Sequence, residues 1–268
     1  MYIPDIKRKK SGVPVISSEQ IDIITERLIE EFSPEVLRTP QPFDIDLFAQ
    51  DYLKMEQDFH YLSHCGCYLG MTVFNDTKRV PVYDPTKNRA EYTEAKANTI
   101  IIDKRLLEAN QEHRYRFTMG HEAGHGFFHK PYFAYDPNQI TLEMFLDETP
   151  PAMIQCRIEG RRNDPKGLQT DEDWMEWQAN AFSSSLLMNK TTVMMLYDDI
   201  KKRVPNPAHI PYCLADEMSR FYNVSPEAAT YRLQKLNLID QDIVYNKIAV
   251  DFAPLFMSGY YNPVELAL

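Results

Sequence analysis

Hydrophobic residues recur every three or four positions along several segments, a spacing that predicts amphipathic helices. In residues 17–32 the apolar positions from Ile21 to Phe32 follow this spacing, and we expect Ser18 to cap the helix. The same kind of pattern predicts further helices over about 44–52, 111–128 and 171–188.

Short runs of β-branched and aromatic residues alternate with turn residues from Cys65 to about Asp103, which predicts a small sheet. The runs are GCYLGMTVF, RVPVY and NTIIID, and one more strand is expected around Met153–Ile158. The predicted class is therefore α+β, a mainly helical protein with a small β-sheet.

Composition leaves the predicted fold class unchanged but narrows the range of possible partners and cellular locations. Hydrophobic residues make up 44% of the 268 positions, which suffices for a sizeable core, and the net charge of −10 disfavours nonspecific binding to nucleic acid or anionic membranes. No apolar run approaches a membrane span, no apolar segment follows the basic N-terminus, and four cysteines are too few for a disulfide framework. We therefore expect a cytoplasmic protein with no membrane partner.

The candidate chemistry lies in RFTMGHEAGHGFFHK, which contains the pattern H-E-x-x-H as His121, Glu122 and His125. Residues four apart share one face of a helix, so both imidazoles can bind one metal ion. Glu122 is adjacent to the first histidine and can act as the general base of a metal-dependent hydrolase. The alternative is an ordinary helix with two hydrogen-bonded histidines.

A catalytic zinc site usually has a third protein ligand. His129 lies about 12 Å along the helix from His121, too far for the same ion. A better candidate is Glu176 in DWMEWQANAFSSSLLM, with Asn180 one turn later as an outer partner. A solvated Glu176 is the alternative, although two neighbouring tryptophans indicate a packed turn.

Glycines cluster in the same helix at positions 120, 124 and 126. Each costs roughly 1 kcal/mol of helix propensity relative to alanine. Together they remove side chains from one helical surface, which predicts that another backbone, from a helix or a strand, packs closely beside the histidines.

The segments RFTMGHEAGH and EWQANAFSSSLLM together resemble the ImmA/IrrE family of zinc metallopeptidases. The resemblance implies a zincin-like core with one Zn²⁺ ion held by His121, His125 and Glu176, and Glu122 as the general base that activates a zinc-bound water. PFDIDLFAQDYL, LGMTVF, NTIIID and VSPEAATYRLQKLNLI are also similar to elements of the family.

The same resemblance implies limited proteolysis of a helix–turn–helix transcriptional repressor, of the kind linked to mobile elements or stress responses. The alternatives are a non-enzymatic zinc-containing regulator that acts through its C-terminal helices, and a zinc hydrolase of another amide. An intact Glu122 argues against a purely structural zinc site. Glu176 lies 51 positions after His125, a longer spacing than in compact members, and Cys156–Gly167 resembles an insertion. Substrate preference therefore stays open.

Three segments follow from these motifs: a helical N-terminal segment, 1–60; a metallopeptidase core, 61–200; and a C-terminal helical segment, 205–268. Within the last, residues 214–239 have the pattern of a helix–turn–helix, with Pro226 at the first position of its second helix. Its positive charge is modest, so we expect packing or a protein partner rather than direct binding to DNA.

Remaining features have simpler interpretations. We interpret HYLSHCGC, residues 60–67, as a helix end leading into a strand, with a second metal site as the alternative. We interpret KRKK, residues 7–10, as a solvated, frayed tail, with a nucleic-acid contact as the alternative. Tyr132 or Tyr135 could donate a hydrogen bond to the oxyanion of a peptidase reaction. An extended substrate could pair with a sheet edge at Asn98–Asp103.

Overall fold

The computed structural model describes residues 2–134, 153–157 and 167–245. The chain forms two compact units, one from the residues up to Phe32 together with Asp44–Leu187, the other from Ser33–Phe43 together with the residues from Met188 onward. The first unit therefore combines much of the predicted N-terminal segment with most of the predicted core. As independent domains, 1–60, 61–200 and 205–268 stay predictions.

The first unit contains the four helices predicted over 17–32, 44–52, 111–128 and 171–188, and one short helix that was not predicted. They are α1 (Ser18–Phe32), α2 (Ile45–Leu47, continued by a π-helix over Phe48–Tyr52), α3 (Glu112–Phe128), the short α4 (Lys130–Phe133) and α5 (Asp171–Leu187).

The N-cap of α1 is Ser17 and not the predicted Ser18. The Ser17 hydroxyl accepts a hydrogen bond from the amide of Gln20 (3.3 Å), and the Gln20 side chain accepts one from the amide of Ser17 (2.8 Å). This reciprocal capping box satisfies two amides at the helix start.

A four-stranded sheet has the order β1-β5-β2-β6, and β3 and β4 form a separate hairpin. The strands are β1 (Glu56–His60), β2 (Tyr68–Val73), β3 (Thr77–Asp84), β4 (Arg89–Ala95), β5 (Thr99–Asp103) and β6 (Met153–Arg157). β1 runs parallel to β5, whereas β2 is antiparallel to both β5 and β6.

This order corrects two predictions. β5 has β1 on one side and β2 on the other, so Asn98–Asp103 is not a free edge for a substrate. His60 ends β1 rather than a helix. The sequence of β1, EQDFH, is too polar to be recognised as a strand, and its ladder depends on pairing with β5, which lies some forty residues away.

The two faces of β2 have different neighbours. Met71 and Val73 join a buried apolar cluster with Leu62, Val80 and Ile101. Thr72, the residue between them, is fully buried and contacts Glu122 of α3. One face of β2 therefore serves the apolar core, and the other faces α3.

The basic N-terminus is not a frayed tail, contrary to the prediction, although Lys7, Lys9 and Lys10 are exposed as expected. Residues 7–15 form a hairpin in which Lys9 N donates to Val13 O and Val15 N donates to Lys7 O, both at 2.8 Å. Gly12 has a φ of 92° at its turn, where a side chain would be strained. Val13 is fully buried, so this N-terminal hairpin belongs to the packed structure.

The second unit is helical and contains α6 (Lys190–Arg203), α7 (Ile210–Tyr222) and α8 (Pro226–Lys235). α7 and α8 confirm the predicted pair of helices, and Ser225 caps α8 through a 3.1 Å hydrogen bond from the amide of Ala228. α6 was not predicted from the sequence. Arg232 is 2% exposed and donates to Met188 O (2.9 Å), which withdraws one of the few positive charges expected here.

The described residues thus form a mixed α/β structure with a small sheet, which confirms the predicted class at that level. Among them, no helix combines the length and the apolar character that crossing a membrane requires.

Candidate metal centre

The two histidines of the H-E-x-x-H pattern lie one turn apart on α3, and Glu176 reaches them from α5. The His121 and His125 Nε2 atoms are 2.9 Å apart. The Glu176 carboxylate lies 3.4 Å from His121 Nε2 through one oxygen and 3.3 Å from His125 Nε2 through the other. These three residues, hereafter the ligand triad, form a group that could hold a metal ion.

Small residues explain how α5 comes so near to α3. A Cβ atom added at Gly120 would lie 2.6 Å from Ser183 Oγ, and one at Gly124 would lie 3.2 Å from the Cα atom of Ala179. The predicted close packing is therefore observed, and its partner is a helix. Gly126 serves a different neighbour, because its added Cβ would lie 2.4 Å from Met55 Cε.

The ring of His121 has a hydrogen-bond partner on α5. Its Nδ1 atom lies 3.0 Å from Asn180 Oδ1, the contact expected from the four-residue spacing of Glu176 and Asn180. An amide oxygen only accepts, so His121 Nδ1 is the donor and its Nε2 lone pair points into the ligand triad.

His129 is not a member of the ligand triad, as its distance along α3 predicted. It is fully buried, with Nδ1 at 2.9 Å from His125 Nδ1 and Nε2 at 3.0 Å from Gln178 Oε1. Burial, together with the neighbouring His125, holds the pKa of His129 well below its ordinary value. His129 is therefore a neutral residue behind His125.

Glu122 is fully buried on the sheet side of α3. One carboxylate oxygen, Oε2, accepts a 2.6 Å hydrogen bond from the Thr72 hydroxyl of β2. The other, Oε1, has no hydrogen-bond partner among the described residues. Burial is the main cause that raises the pKa of Glu122 to about 7. The site thus holds a carboxyl group that titrates near neutral pH with one oxygen left unpaired.

Gly70 of β2 provides the space for this carboxyl group. A Cβ atom at Gly70 would lie 2.6 Å from Glu122 Oε1 and 2.8 Å from Thr118 Cγ2. Any other residue at position 70 would therefore displace the Glu122 side chain or the strand.

The ionisation states of the triad suit a cation. Burial lowers the pKa of His125, which favours the neutral imidazole. Burial alone would raise the pKa of Glu176, but His121 and His125 outweigh it and the net shift is downward. A neutral imidazole and an ionised carboxylate are the forms that bind metals.

Sequence reasoning missed Gly70, Thr72 and Gln178. A glycine inside a strand marks a close approach by another group, so GMTV in β2 carried a usable signal for the first two. Gln178 had none, since only the packing of α5 on α3 brings it to His129.

Two other predictions have separate outcomes. Tyr132 packs against the apolar cluster of Val13, Phe133 and Met175, and Tyr135 lies outside the described residues, so the oxyanion donor stays a prediction.

In the 60–67 loop, His60 Nε2 pairs with Asp58 Oδ2 (2.9 Å), and the ring of His64 packs on Tyr83. Throughout the described ranges, the ligand triad is the one cluster suited to a metal.

Comparisons with known proteins leave the family open. No protein-family model matches the chain, and the search of curated proteins finds no match.

Proposed function

We propose that this protein is a cytoplasmic zinc metallopeptidase with a zincin-like core of the ImmA/IrrE type. The observation that carries the proposal is Glu122, a buried carboxyl group with one unpaired oxygen beside the ligand triad. A structural metal site has no need of a buried base next to its ligands. The resemblance of the α3 and α5 sequences to the family supports the same conclusion.

The donor set fits zinc. Two imidazole nitrogens and one carboxylate make up the ligand set of many hydrolytic zinc sites, in which the fourth position stays open. Ligand atoms about 2.1 Å from a tetrahedral ion are about 3.4 Å apart. The two separations between histidine and glutamate atoms, 3.3 and 3.4 Å, agree with that value, and the two histidine nitrogens are nearer, at 2.9 Å.

The lone pairs support the same fit. His121 Nε2 and the Glu176 carboxylate are acceptors, and they converge with His125 Nε2 beside two buried histidine rings. Acceptors this close repel one another unless a proton or a cation lies between them. A bound cation would satisfy His121 Nε2, His125 Nε2 and the Glu176 carboxylate at once.

Glu122 performs the proton transfers in this proposal. When bound, a zinc ion lowers the pKa of a coordinated water toward about 7 and polarises the carbonyl of a peptide. The Thr72 hydroxyl holds Oε2 of Glu122, which leaves Oε1 to accept the proton of the attacking water. The same carboxyl group can then pass this proton to the leaving amine.

The proposed substrate is a helix–turn–helix transcriptional repressor, cleaved at one or a few sites. This part of the proposal rests on the family resemblance. Edge pairing at Asn98–Asp103 is no longer part of it, because β5 is an inner strand.

The test uses the repressor encoded nearest the gene, incubated with wild-type protein, metal-stripped protein, Glu122→Gln and Glu112→Gln. Glu112 is an exposed carboxylate at the start of α3, so its variant is a matched control. We expect cleavage by wild type and Glu112→Gln only. Loss of the base should cost about 10²–10⁴-fold in rate while one zinc ion stays bound. Equal cleavage by all four samples would refute the peptidase, and zinc binding without any cleavage would favour the non-enzymatic regulator.

A further inference from the structure

A continuous chain of hydrogen bonds joins the N-terminal hairpin to the ligand triad. Gln178 Nε2 donates to Pro14 O at 2.8 Å, and Gln178 Oε1 lies 3.0 Å from His129 Nε2. His129 Nδ1 lies 2.9 Å from His125 Nδ1. We call Pro14, Gln178 and His129 the relay; its two side chains are completely buried.

The carbonyl of Pro14 determines which group donates and which accepts in every hydrogen bond of this series. A backbone carbonyl only accepts hydrogen bonds, so the group that faces it must be the NH₂ of Gln178. The Oε1 atom of the same amide then faces His129. The reversed amide would place two oxygens against each other at one end of Gln178.

The direction continues through both imidazoles. Gln178 Oε1 only accepts, so His129 Nε2 carries the hydrogen. A neutral imidazole has one N–H group, which leaves His129 Nδ1 as an acceptor for His125. His125 Nδ1 therefore donates, and the free lone pair of His125 lies on Nε2, the atom that faces His121 and Glu176.

We propose that the relay holds His125 in the Nδ1–H form, and that it is a set of positioning groups that raises the affinity of the ligand triad for its metal. The N-terminal hairpin is then a structural part of the metal site, although its sequence contains no metal ligand. The inference rests on the metal binding in the proposed function and does not depend on peptidase activity.

Zinc affinity, measured by competition with a chromophoric chelator at constant pH, tests the relay. His129→Phe fills the same space without an acceptor and should weaken zinc binding about 10–100-fold, the usual effect of losing an outer partner of a ligand histidine. His129→Gln restores an acceptor for His125 Nδ1–H and should recover much of the loss. The control is His113→Phe, which removes an exposed histidine from the same helix and should bind zinc like wild type.

A double variant separates the relay from general damage to the fold. Gln178 acts on the metal only through His129, so His129→Phe with Gln178→Leu should bind zinc no more weakly than His129→Phe alone. Losses that multiply would show that Gln178 acts independently and would overturn the relay. Thermal unfolding of the metal-free variants reports the cost to folding separately from the loss of zinc affinity.

Long-range ¹H–¹⁵N NMR spectra of the zinc-loaded protein report the tautomers directly. We expect His129 as the Nε2–H form and His125 with hydrogen on Nδ1. The opposite form of His129, or wild-type zinc affinity in His129→Phe, would overturn the proposal. Either result is distinct from failure of the peptidase, which is tight zinc binding without cleavage by the wild type.

Discussion

Two segments of this chain are rich in potential metal ligands, and the structure treats them differently. The 60–67 loop contains two histidines and two cysteines within eight positions, yet His60 pairs with an aspartate, and Cys65 is exposed. The residues of the ligand triad come from two helices that are far apart in the sequence but packed together in the fold. Both histidines are buried, and their Nε2 atoms are 2.9 Å apart. A high local density of ligand-type residues is therefore a poorer indicator of a convergent ligand cluster than helical spacing combined with burial.

The largest expected effect comes from replacing Glu176, the proposed ligand that lies outside the H-E-x-x-H pattern. Glu176→Gln should weaken zinc binding by more than about 100-fold, beyond the range of outer partners, because a neutral amide replaces an anionic ligand. Chelator competition measures the affinity, with Glu172→Gln as the control, since Glu172 is an exposed carboxylate on the same helix. Unchanged affinity in Glu176→Gln would remove α5 from the site.

The next largest effect is expected for Gly70→Val, which should disturb the proposed base, Glu122, and leave the proposed ligands in place. Gly70→Val places side-chain atoms where Glu122 Oε1 lies, and a displacement of about 1 Å can cost about 100-fold in rate. We expect peptidase activity to fall by about this factor while zinc stoichiometry stays at one. The control is Gly167→Val, because an added Cβ there meets nothing within 4 Å. Full activity in Gly70→Val would contradict the proposed role of Glu122.

A smaller effect is expected at the contact between α3 and α5. Gly124→Val forces atoms against the backbone of Ala179 and should destabilise the metal-free protein by about 1–3 kcal/mol in urea unfolding. Gly126→Val should cost less, because it meets the flexible end of Met55 instead. Equal losses in the two variants would contradict the idea that the rigid contact with the Ala179 backbone sets the cost at Gly124.

No effect on metal content is expected in the 60–67 loop. Replacing His60, His64, Cys65 and Cys67 together by serine should leave one zinc ion per chain, measured by elemental analysis after dialysis. A drop to zero, or a second ion in the wild type that this variant loses, would break the contrast between the two segments.

Periodicity was enough to place the helices that carry the site. Helical spacing put His121 and His125 on one face of α3, separated His129 from His121 by about two turns and aligned Glu176 with Asn180 on α5. These predictions succeeded because they depend on the helix repeat, which is local. β1, the N-terminal hairpin and the inner position of β5 were missed or assigned wrongly, because pairing and packing over long sequence distances create them.

The sequence by itself determined which residues are the candidate ligands and the candidate base, and that glycines leave one surface of the same helix without side chains. Only the tertiary structure decided that α5 covers this surface, that Gly70 and Thr72 hold Glu122, and that a carbonyl at Pro14 orients His125 through Gln178 and His129. The reason is physical: a helix repeat relates residues a few positions apart, whereas a hydrogen bond between Pro14 and Gln178 exists only once the chain has folded.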